Sequence, residues 1–219
     1  MSEDSRVARA PASRGHDWAE IASTVLLALA TVAIAWSSYE ASRWSGEQSI
    51  AFSAASAARI ESSRASTRAG QQAQIDVTLF AQWVNAYARN ETKLRDFYFE
   101  RFRDEFKPAV EAWLATKPLT TPGAPRSPFA MPEYRLAEQQ TADRLVLDAE
   151  AQTDIAKRNN QRSDNYVLCV VLFAASLFFA GISTKIASPR SRIFILALGY
   201  VVFIGTVAWL AMFPVSFSI

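Results

Sequence analysis

The chain holds one histidine and one cysteine among its 219 residues, and each scarcity removes a class of chemistry. His16 lies in a polar N-terminal stretch between Pro11 and Asp17, so metal centres and catalytic triads built on imidazole are excluded. Cys169 has no second thiol to pair with. It sits inside an apolar run, where a thiol reads as a small packed side chain and not as a redox group. No phosphate-cradling glycine loop, HExxH or CxxC pattern occurs. The adjacent carboxylates Asp104 and Glu105 diverge on a helix and read as its solvated face. Net charge is only +2, with basic residues scattered singly among acids, which excludes a nucleic-acid surface. The sequence therefore reads as non-enzymatic, with no catalytic residue, cofactor or metal.

Charge is also missing from three long runs, and here the chain becomes informative. Ile21–Tyr39, Asn165–Thr184 and Ile193–Ile219 contain no Asp, Glu, Lys, Arg or His. A helix needs about 20 apolar residues to cross a bilayer core of ~30 Å, so each run predicts a membrane-spanning helix. Ionisable groups within a bilayer mark proton relays and many transport routes, and their absence argues against a transporter. The expected class is all-α: an integral membrane protein with three transmembrane helices and a long, coiled-coil-like helical hairpin outside the bilayer.

The expected organisation runs as follows along the chain. Residues 1–17 form a disordered basic tail, and the first membrane helix covers 18–39. A cleavable signal peptide is the competing reading, with Ala33-Ile34-Ala35 as its small-x-small site. The run continues into Trp36 and Tyr39, which suit a retained helix. An extramembrane domain over 40–164 follows: an arm at 40–89, a helix at 91–116, a proline-rich loop at 117–132 and a returning arm at 133–164. The second membrane helix spans 165–184, a short basic loop 185–192, the third membrane helix 193–213 and a tail 214–219. Arg6, Arg9 and Arg14 before the first span, and Lys185, Arg190 and Arg192 before the third, place both segments in the cytoplasm by the positive-inside rule. The helical domain and C-terminus then face outward, from the inner membrane of a bacterium. The source follows from 18 Arg against 5 Lys and abundant Ala, a GC-rich signature.

Four groups of residues stand out. Trp36, Tyr39, Trp44 and Tyr166 are expected to anchor helices at the headgroup level, where amphipathic rings settle. Glu40, Arg43 and Glu47 on the first helix are expected to face Arg158, Arg162 and Asp164 on the second, as a juxtamembrane polar cluster. Such a collar could select ions if several copies ringed a pore; its plainer role is to fix helix register through interfacial ion pairs. Trp83 and Tyr87 end one apolar stripe, and Tyr98, Phe102, Phe106 and Trp113 form the next, so the two should pack together as a head. Pro108 predicts a kink or a restart inside the second stripe. Between membrane and head, the Ala/Ser-rich arm buries too little area to stand alone and asks for a partner. Gly70 marks a place where that arm could bend.

TVLLALATVAIAWSSYEASRWSGEQ, the small-residue helix after it, and QRSDNYVL at the start of the paired C-terminal helices resemble a family of uncharacterised bacterial membrane proteins, a domain of unknown function. The resemblance covers nearly the whole chain from Trp18 and implies the three-helix membrane layout, with no activity attached. The expected role is a structural or interaction protein. Its partners are the lipid bilayer, further copies of itself and, equally, another membrane protein. The alternative is a subunit of an oligomeric ion channel, gated mechanically or hydrophobically.

Overall fold

A computed structural model describes residues 18–118 and 120–214. The expectations for the basic tail, for His16 and for residues 215–219 lie outside them. Among the described residues all the regular secondary structure is helical. The elements are α1 (Trp18–Ala88), α2 (Thr92–Glu100), α3 (Lys107–Ala115), a short 3-10 turn (Pro128–Ala130), α4 (Ala137–Ser183) and α5 (Pro189–Leu210). Helices α1, α4 and α5 are each long and apolar enough to cross a membrane. The chain divides into two compact units, residues 18–48 with 157–214, and Ser49–Ala156; α1 and α4 contribute to both.

The first unit holds the three apolar segments. Its interior mixes small and polar side chains with a few large ones: Ala19, Ser23, Ala30 and Ser37 of α1 and Cys169, Ser176, Ala180 and Ser183 of α4 are buried, together with Leu26, Phe173 and Leu196. Many other large apolar residues point outward, among them Val32, Val171, Phe194 and Val201. Water would penalise such a surface, whereas hydrocarbon does not. Helix α5 comes closest at Gly199. A Cβ there would stand 3.2 Å from Phe179 Cβ and 3.3 Å from both Leu26 Cδ2 and the Ser176 carbonyl oxygen. At Gly181 of α4, by contrast, a Cβ would meet open space. Tyr200 donates to the Ala22 carbonyl at 2.9 Å and ties α5 to α1.

The second unit pairs the C-terminal part of α1 with the N-terminal part of α4. Buried positions on α1 step by four and three: Ala51, Ala55, Ala58, Ser62, Ala65 and Ala69. On α4 the buried residues Ala142, Ala149 and Ala156 recur every seven. Methyl groups on both sides let the backbones close in. Ser62 Oγ donates to the Ala142 carbonyl at 3.0 Å, Arg59 reaches Thr153 at 2.9 Å and Arg68 pairs with Glu138 at 3.0 Å. These contacts descend on α4 as they ascend on α1, so the two helices are antiparallel.

α1 passes through Gly46 and Gly70 without a break in its helical assignment and stops at a defined cap. Asn90 adopts φ 58°, the Glu91 N–H donates to the Ala86 carbonyl at 3.0 Å, and the Asn90 N–H donates to that of Tyr87 at 3.2 Å. This is a Schellman termination, with Asn in the left-handed position where Gly is commoner. In place of one helix over 91–116 there are two, separated by Arg101–Phe106. Pro108 falls in the first turn of α3, where its missing N–H costs nothing. The returning arm starts at Ala137 and not at 133, because Tyr134 is drawn into the core.

Candidate functional site

At the C-terminal end of α1, an aromatic core gathers Trp83 with Phe102, Phe106, Ala109, Val110 and Trp113, all buried. Tyr87 and Tyr98 pack at its edge, so the six residues singled out as head packing lie in one cluster. Phe106 is its centre. Its ring stacks on Phe129 at 5.1 Å and meets Phe102 and Tyr134 edge-on at 5.0 and 5.6 Å. The proline-rich loop lies over this core: Pro128 is fully buried, and Trp113 Nε1 donates to the Pro125 carbonyl at 2.7 Å. Proline's fixed φ lowers the entropy lost when such a strap is ordered.

Against that core sits a polar clamp that patterning did not reveal. Asp76 is fully buried on α1. Arg103, from the break between α2 and α3, grips it with Nε to Oδ1 at 3.0 Å and Nη2 to Oδ2 at 2.8 Å. Tyr134 donates to Oδ2 at 3.2 Å, and Arg103 Nη1 also reaches Glu105 at 3.0 Å. Three separate stretches of chain therefore converge on one carboxylate. The hydrogen bond to Asp76 leads the causes that hold the Arg103 guanidinium further above its ordinary pKa. Burial, reinforced by the Asp76 charge, pushes Tyr134 up to about 12, so its hydroxyl stays a donor at neutral pH. Both carboxylate oxygens are occupied by the protein's own donors, which suits fastening better than substrate chemistry. A signal did exist: Asp76 is the one charge within the stripe of Ile75, Leu79 and Trp83, and a buried charge needs a partner.

In the first unit, Trp36 and Tyr39 are exposed, with ring centroids 6.1 Å apart. Trp44 and Tyr166, expected beside them as surface anchors, are buried against Ala41, with Leu210 and Phe213 packed around them. Their helical spacing turns them inward. Tyr166 donates to the Pro214 carbonyl at 3.0 Å. The juxtamembrane residues are divided in the same way. Glu40 is fully buried, Arg43 and Glu47 are half-buried, and Arg158 is exposed. Arg162 lays its guanidinium over the Trp44 ring at 4.4 Å, a cation–π contact between α4 and α1. Asp164 accepts from Asn160 within its own helix at 2.9 Å. Ser163 Oγ donates to the Ala41 carbonyl at 2.9 Å. Arg162, Trp44 and Ser163 thus take part in contacts between the two helices, and Ser163 was not anticipated.

Among the described residues, no group of three or more His, Cys, Asp or Glu side chains is placed to hold a metal ion. No family model, curated protein or solved structure matches the chain.

Proposed function

We propose that the protein is a non-enzymatic structural or interaction protein of the bacterial inner membrane. Its three apolar helices anchor it, and several copies associate through the helical unit. The observation carrying this reading is the use made of buried polarity: Asp76, Arg103 and Tyr134, like Ser62 and Ser163, fasten helix to helix. Alternating steps of four and three along α1 support a shallow left-handed supercoil of α1 with α4, the geometry of a coiled coil. The basic loop at Lys185, Arg190 and Arg192 supports a cytoplasmic N-terminus, with the helical unit and C-terminus outside.

Labelling tests the placement. A Thr121→Cys variant, in a Cys169→Ala background, should react with a membrane-impermeant maleimide in intact spheroplasts. Reaction only after permeabilisation would reverse the orientation. Purified protein in planar bilayers should stay silent under voltage and tension; reproducible unitary currents would replace this reading with an ion channel.

A further inference from the structure

Outside the small-residue seam of the second unit, α1 and α4 carry opposite charge. From 49 to 74, α1 has three Arg against one Glu; from 137 to 156, α4 has five acids against one Arg. Each also exposes a large apolar side chain on its outer face, away from the seam. Ile60 on α1 is 56% exposed and Leu147 on α4 is 65% exposed. Ile60 lines an open groove with Ser63, Arg64, Thr67, Arg68 and Gln71. Leu147 stands as a knob, with the exposed acids Asp143 and Glu150 one turn away on either side.

These two features lie at the same level of the helix pair. The Arg59–Thr153 and Ser62–Ala142 contacts bracket Ile60 on one helix and Leu147 on the other. Copies standing side by side in the same sense, as a shared membrane requires, bring residues of equal level together without an axial shift. Joining like faces would oppose Arg64, whose side chain is 67% exposed, to another Arg64, or acids to acids. Joining unlike faces sets Ile60 against Leu147 and, because the two helices run antiparallel, Arg64 against Asp143 one turn nearer the head.

We infer that copies of this chain associate head-to-tail, with the Leu147 knob of one copy seated in the Ile60–Arg64 groove of the next. The interface is heterologous, of the type that closes into a ring when the rotation permits. This rests on the proposed self-association and specifies the surfaces that carry it.

The test uses the full-length chain. Ile60→Cys and Leu147→Cys variants, differently tagged and both carrying Cys169→Ala, are co-expressed and oxidised in native membranes. The expected product is a mixed-tag disulfide, in clear excess over either same-tag product. In parallel, Arg64→Glu should weaken association about tenfold, and adding Asp143→Arg should restore it. Circular dichroism confirms that each variant folds. An oligomer by native mass whose cross-links are same-tag or absent overturns the head-to-tail interface and leaves self-association standing. A monomer by native mass overturns both.

Discussion

The Ala/Ser pairing of α1 with α4 and the aromatic head at the end of α1 belong to the same unit but are stabilised in opposite ways. In the head, rings of Trp83, Phe102, Phe106, Phe129 and Trp113 bury large areas and interlock through stacked and edge-to-face contacts. Along the seam, Ala51, Ala55, Ala58, Ala65 and Ala69 bury one methyl each, against Ala142, Ala149 and Ala156. At roughly 25 cal/mol per Å² of apolar area, the head gains far more per residue than the seam. The seam gains closeness instead. It permits backbone carbonyls to accept from Ser62, and in the first unit from Ser163, but it leaves the pair dependent on something at its ends or its sides. The head supplies one such support, and neighbouring copies are proposed to supply the other.

The comparison is broken most severely at the centre of the head. Phe106→Ala removes a fully buried ring with four aromatic neighbours and should cost ~3–5 kcal/mol, read as a lower thermal midpoint. Asp76→Ala leaves Arg103 and Tyr134 without their shared acceptor and should cost about 3 kcal/mol. The seam should fail by crowding and not by cavity formation. Ala65→Leu forces two closely packed backbones apart and should cost ~1–3 kcal/mol, while Ala57→Leu on the exposed face should be close to neutral. The smallest effect is one of pH. Tyr134 has its folded pKa raised from an ordinary value of 10 to about 12. Its contribution to stability is complete below pH 10 and is lost as pH rises towards 12. Denaturant titrations across that interval should show the loss, and Tyr134→Phe should remove most of the slope.

The helical class and the three apolar spans were legible because they depend on long runs without charge, a signal that needs no knowledge of contacts. The aromatic stripes were legible for a similar reason, since large rings at helical spacing have few places to go. The seam was harder to see. Alanine and serine barely register as hydrophobic, so a repeat of four and three written in Ala51, Ala55, Ala58, Ser62 and Ala65 looks like composition until burial is known. The break at Arg101–Phe106 hides behind a stripe that continues across it, and only Pro108 pointed to it. Trp44 and Tyr166 show the limit of a rule based on residue type. An amphipathic ring can settle at a lipid interface or line a helix contact, and its angular position decides. Asp76 was found through structure, yet a lone charge within an apolar stripe was its trace in the sequence.

The central claim is that this helical protein, with three helices long and apolar enough to cross a membrane, works as an assembly of its own copies. Native mass spectrometry of the full-length chain, released from a mild detergent, tests it most directly. The account predicts a discrete multiple of the 24.2 kDa chain that persists on dilution and falls towards monomer with Arg64→Glu. A single monomer peak across the concentration range, from protein that is folded by circular dichroism, would contradict it.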